Sequence, residues 1–189
     1  QTKGDLKVDN KTVEVKTKHA GAARLTDREV RPAPGYEKAV ENFKNTFADQ
    51  IKQFKDPVPT TGLRLDVFIG VGQVIDSTSP LYKKYKSSVS EIINLIFHNV
   101  DNTALINSIL IGDIAQAKKE YGIASLNFYR SVKTHDDGIL MIDMTTSPMK
   151  FLYFTNYDDI KSAGKKLKIS TAYPITSVYA NAYPQMSIV

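Results

Sequence analysis

A short chain reversal near residue 9 constrains this sequence more than any other feature. Apolar and polar residues alternate over 4–8 and again over 12–16, the period-two pattern of half-buried strands. Asp9-Asn10 lies between them, and both residue types tolerate the positive φ of a tight hairpin turn. With those two residues as the loop, Val8 faces Lys11, Lys7 faces Thr12, Leu6 faces Val13, and Asp5 falls directly opposite Glu14. A symmetric four-residue loop preserves this register; an odd-length loop destroys it.

That register has a chemical consequence. Directly opposed residues on one face of an antiparallel pair have Cβ atoms ~4.5–5.5 Å apart, and two carboxylates at that distance repel. A hard divalent cation removes the conflict, since Mg²⁺ takes oxygen ligands from one or two carboxylates together with water and phosphate. Lys16 is two residues beyond Glu14, hence on the same face, where its ammonium can hold an attacking water or steady a developing negative charge. Leu6, Val8, Val13 and Val15 make the opposite, apolar face. An amphipathic hairpin whose Lys3, Asp5, Lys7, Glu14 and Lys16 are solvated surface charges gives the same pattern.

Asp5 followed by Glu14-Val15-Lys16 resembles the D…(D/E)-x-K motif of the PD-(D/E)XK nuclease superfamily, and the Gly-Asp-Leu lead-in is similar to the family's usual wording. The resemblance covers about the first quarter of the chain. It implies that Asp5, Glu14 and the Val15 carbonyl are metal ligands and that Asp5, Glu14 and Lys16 are the catalytic set. The cofactor is then Mg²⁺, with Mn²⁺ as its substitute, and the partner is DNA. The fold implied is α/β: a restriction-endonuclease-like mixed central sheet flanked by helices, with a helical insertion. Two features depart from the family. Gly4 stands where Pro is usual, and only three residues precede it, so the family's helix ahead of the first strand is expected in an upstream part.

Beyond the hairpin, 17–25 reads as a pliable loop of small and basic residues. Lys18, Arg24 and Arg28 are its candidate nucleic-acid contacts, because guanidinium and ammonium groups bind phosphate; His19 is a candidate proton carrier. Pro32-Ala33-Pro34-Gly35 breaks the chain. Apolar residues at helical spacing (Tyr36, Val40, Phe43, Phe47, Ile51, Phe54) predict an amphipathic helix over 36–55, ended by 56–59. Residues 63–69 read as a strand, and Gly70-Val71-Gly72 lacks the spacing of a phosphate loop. Ser79-Pro80 opens a helix through Phe97, with Lys83, Lys84 and Lys86 in its first turns. A further helix is expected over 103–121, closed by Gly122. Residues 78–122 form the expected insertion or lobe within a single domain, 1–189.

The last third reads as β-rich, with strands over 124–132, 139–144 and 149–154 and turns at 135–138 and Ser147-Pro148. The apolar runs suit strands covered on both faces. Asp143, within one of them, needs a hydrogen-bonding partner if buried. A short helix over 158–163 ends at Gly164, and Lys165, Lys166 and Lys168 flank another strand. Tyr173, Tyr179 and Tyr183 with those lysines suggest an aromatic-basic surface for single strands.

Composition narrows the chemistry. With no cysteine, a thiolate metal site, a disulfide framework and a cysteine nucleophile are excluded, and three histidines leave oxygen-ligated metals as the plausible kind. The absence of cysteine fits an intracellular (cytoplasmic) or virion protein. A formal charge of +5 favours a polyanionic partner, and no apolar run is long enough to span a membrane. Three functions follow in order: a Mg²⁺-dependent DNA phosphodiesterase; a non-catalytic structural or interaction domain of a larger assembly, such as a phage particle, contacting its other chains; and a DNA binder without chemistry.

Overall fold

The computed structural model describes residues 6–18, 23–25, 31–54, 65–132, 137–169 and 186–188. The expected hairpin is present: β1 (Leu6–Val8) pairs antiparallel with β2 (Lys11–Lys18) in the register Leu6↔Val13, Lys7↔Thr12, Val8↔Lys11. Asp9 and Asn10 both adopt positive φ, 46° and 66°, as a two-residue turn matched to the strand twist requires. Asp5 lies outside the described residues.

The segment read as a loop after Lys16 is partly strand. β2 continues to Lys18, and β3 (Ala23–Leu25) belongs to a second sheet. The predicted helix over 36–55 divides into α1 (Tyr36–Thr46) and α2 (Ala48–Ile51) at Phe47. Its apolar stripe is as expected, with Tyr36, Val40, Phe43, Phe47 and Ile51 all buried. The break foreseen at 56–59 lies outside the described residues.

Two segments read as strands are helices. α3 (Leu65–Gln73) replaces the strand expected over 63–69. Its sequence is apolar on every side, so no period shows in it, and a helix apolar all round is stable only when buried. α4 (Pro80–Ile96) begins as predicted, with the Ser79 hydroxyl accepting from the Tyr82 N–H at 3.2 Å. The helix expected over 103–121 is two helices. α5 (Thr103–Ile111) ends on Gly112 at φ 86°, and Asp113 then caps α6 (Ile114–Val132), accepting from the Gln116 N–H at 2.9 Å. Gly122 does not end α6, which runs through the residues read as a strand at 124–132. Its buried positions Ala117, Tyr121, Ala124, Phe128 and Tyr129 keep helical spacing across the whole length.

β4 (Gly138–Asp143) and β5 (Lys150–Phe154) follow as predicted, then α7 (Tyr157–Ser162), opened by an Asn156–Asp159 capping box. β6 (Leu167–Ile169) and β7 (Met186–Ile188) complete the second sheet. The larger sheet is mixed and four-stranded in the order β1-β2-β4-β5, with β2 and β4 parallel; the smaller is antiparallel in the order β3-β7-β6. The protein is thus mixed α/β. The helices α1 to α6 form the crossover between the parallel strands. Among the described residues no helix is long and apolar enough to cross a membrane. Residues 135 and 136 of the expected turn, and Tyr173, Tyr179 and Tyr183, lie outside the described residues.

The sheet buries the opposite side from the one its pattern suggests. By register, Glu14, Lys16 and Lys18 of β2 share a face with Ile139, Met141 and Asp143 of β4 and with Phe154 of β5. Glu14, Ile139, Met141, Asp143 and Phe154 are all buried. The apolar face is the more open one at its two edge strands, with Leu6 42%, Phe151 62% and Tyr153 46% exposed, while Val13 on β2 is buried there. β5 is an edge strand covered on one side, not a central strand covered on both.

Candidate functional site

The parallel pairing of β2 on β4 sets the geometry of the site. Its register runs from Val13↔Gly138 to Lys18↔Asp143. Both ends are tied. At the start the Thr12 N–H donates to the Asp137 carboxylate at 2.6 Å; past the end the Met144 N–H donates to the Lys18 carbonyl at 3.0 Å. Between these ties Glu14, Lys16 and Lys18 project in sequence from one face.

Glu14 is 6% exposed, so it is not a solvated surface charge. Its Oε1 accepts from the Tyr129 hydroxyl at 2.8 Å and forms an ion pair with the Lys16 ammonium. Lys16 Nζ is 5.8 Å from the Tyr129 ring centroid, within the ~6 Å reach of a cation–π contact. Val15, between them, points to the other face of the strand. Its backbone is registered with Leu140 of β4.

Lys18 is engaged. Its ammonium donates to Asp143 Oδ2 at 2.9 Å, and both side chains are largely enclosed. The Thr145 backbone N–H donates to Asp143 Oδ1 at 3.0 Å and the Thr145 hydroxyl donates to the same oxygen. The Thr145 hydroxyl, the Lys18 ammonium and the Thr145 N–H hold the Asp143 carboxyl far below the usual carboxylate range, against burial, which pushes it up. Lys18, a candidate nucleic-acid contact, is thus in a strand-to-strand ion pair.

Of the other candidates, Arg24 is in β3, its backbone registered with Ser187 of β7. Asp5, His19 and Arg28 lie outside the described residues. The structure therefore brings Glu14 and Lys16 together, with the Val15 carbonyl beside them. Among the described residues no three His, Cys, Asp or Glu side chains cluster closely enough to hold an ion. Glu14 supplies one hard oxygen donor, the ligand chemistry that suits Mg²⁺ or Mn²⁺.

Tyr129 is the site residue that sequence reading missed. It stands 115 residues from Glu14, on a stretch read as a strand. Its signal was the helical recurrence Ala117, Tyr121, Ala124, Phe128, which carries α6 past Gly122 and turns Tyr129 inward.

Compared with protein-family models, with curated protein sequences and with solved structures, the chain gives no match.

Proposed function

We propose that the chain is a metal-dependent nuclease of the restriction-endonuclease-like kind, acting on DNA. The observation that carries this reading is the burial of Glu14 with the Lys16 ammonium on its carboxylate, at the spacing of the (D/E)-x-K motif. Enclosing an ion pair gains little stability, because desolvation offsets the Coulomb attraction. The Lys18–Asp143 pair on the same face ties two strands together, whereas Glu14 and Lys16 lie on one strand and their pairing joins no two elements, so we read it as serving chemistry. The hairpin has the register Leu6↔Val13 on which the sequence pairing of Asp5 with Glu14 rests.

In this reading Asp5, Glu14 and the Val15 carbonyl would hold Mg²⁺ or Mn²⁺. The cation, when bound, neutralises phosphate charge and lowers the pKa of water. Lys16 orients the attacking water or stabilises the charge developing on the phosphate oxygens. The purified chain is expected to digest linear or plasmid DNA with Mg²⁺ or Mn²⁺ and not with EDTA. Asp5→Asn, Glu14→Gln and Lys16→Met are each expected to lower the rate by about 10²-fold or more, with unchanged circular dichroism. Equal digestion by all three variants, or none by the wild type with either metal, overturns the reading.

A second reading is a non-catalytic domain of a larger assembly. The open side of β5 favours it, where Phe151 and Tyr153 are exposed on one face of the strand, because exposed apolar surfaces mark contacts with other chains. It expects no metal-dependent digestion and a stable protein complex that Phe151→Lys disrupts.

A further inference from the structure

Tyr129 meets both members of the Glu14–Lys16 pair. Its hydroxyl donates to Glu14 Oε1 at 2.8 Å, and its ring is 5.8 Å from Lys16 Nζ. The residue is 1% exposed and sits in the main core, so it has little freedom to leave. The last turn of α6 is also fastened to the sheet. Arg130 Nη2 donates to the Asp137 carbonyl at 3.3 Å, while the Asp137 carboxylate accepts the Thr12 N–H. Helix, β4 and β2 are thereby joined a few residues from the place where Tyr129 touches Glu14.

A carboxylate on a strand turns about its side-chain bonds unless something holds it, and turning costs affinity when two oxygens must meet one ion. A neutral hydroxyl donor can orient the carboxylate without cancelling its charge. The Lys16 ammonium sits on the same oxygen, so the hydroxyl adds direction without adding further positive charge. Groups that hydrogen-bond to metal ligands orient those ligands, and their loss typically weakens metal binding by about 10–100-fold.

We infer that Tyr129 is a positioning residue that orients the Glu14 carboxylate for a divalent cation and places the Lys16 ammonium beside it. This rests on the nuclease reading of the same site. Tyr129→Phe tests it, since the variant keeps the ring and its packing and deletes only the donor. Binding of Mn²⁺ alone to the full chain is measured by electron paramagnetic resonance of the free ion, for wild type, Glu14→Gln and Tyr129→Phe. The expected result is binding by wild type, loss in Glu14→Gln, and about 10–100-fold weaker binding in Tyr129→Phe.

A second measurement needs no variant of Tyr129. With the ten tyrosines labelled at ¹³Cζ, Mg²⁺ is expected to move a tyrosine resonance of wild type and not of Glu14→Gln. Binding that Glu14→Gln abolishes and Tyr129→Phe leaves unchanged overturns the positioning role alone; so does a tyrosine spectrum unaltered by bound Mg²⁺. Absence of any Glu14-dependent metal binding overturns the metal-site reading and this inference with it.

Discussion

Asp143 shows how a single carboxylate can lock two strands. It sits at the end of an apolar strand, buried, with three donors on its two oxygens. Its folded pKa is depressed, so the unfolded chain takes up a proton more readily. The resulting stabilisation is complete above the unfolded value of about 3.9 and is lost as pH falls from there toward the folded value. Wild-type urea midpoints are expected to fall between about pH 4 and pH 2, and those of Asp143→Asn to fall less. Asp76, Asp101 and Asp159 are also held low, chiefly by backbone N–H donors of Thr78, Thr103 and Thr155. They act in the same window, so the difference between variant and wild type isolates Asp143. Identical acid profiles for the two proteins would count against the Lys18–Asp143 lock. That Asp143 needs a partner is readable from its apolar neighbours; that the partner is Lys18 depends on the β2–β4 register, which no local pattern encodes.

Among the elements, α3 depends most on its glycines. A Cβ at Gly72 would overlap the Tyr85 ring, and one at Gly70 the Phe54 ring. Tyr85 is fully buried, donates its hydroxyl to the Phe68 carbonyl at 3.1 Å, and meets Phe47 edge-on at 6.0 Å between centroids. The aromatic cluster therefore has no room to retreat. Gly72→Ala gains up to about 1 kcal/mol of helix propensity but overpacks the core, which costs about 1–3 kcal/mol. A net loss of stability, or at best no gain, is expected in the denaturant midpoint; a clear gain would show that the ring yields. Read as sequence, Leu65–Gln73 offers two glycines and β-branched residues, which favour a strand. Only the surrounding aromatic side chains reveal why a helix needs the glycines there. Gly112-Asp113 is a glycine C-terminal cap followed by an aspartate N-cap, a stop and restart that the single helix expected over 103–121 passed over.

Over the whole molecule one apolar cluster joins the helices to the sheets. Phe43, Phe68, Tyr85, Ile92, Ile109 and Tyr121 share it with Ile139, Met141, Phe154 and Ile188. A shared core predicts a single cooperative transition, with far-ultraviolet circular dichroism and tyrosine fluorescence giving coincident urea curves; the chain has no tryptophan to complicate the signal. Two separated transitions would make the segment 78–122 an independently stable lobe. The open sheet face stands outside this core, so Phe151→Lys, at a position 62% exposed, is expected to change stability by no more than about 0.5 kcal/mol.

Local sequence determined the hairpin, its two-residue turn and its register, because strand alternation and positive-φ residues act over a few positions. It likewise determined the starts of α4 and α7 and the apolar stripe of α1, where caps and 3.6-residue spacing are local too. Tertiary structure alone decided that α3 is a helix, because residues apolar all round carry no period, whereas the end of α6 keeps a helical recurrence that the strand expected over 124–132 passed over. Tertiary structure also decided which face of the hairpin is covered. The crossover of α1 to α6 returns against the Glu14–Lys16 side, and a helix 115 residues away supplies the hydroxyl that meets the carboxylate there. Chain separation of that order leaves no trace in any short window of sequence; only the fold brings the two together.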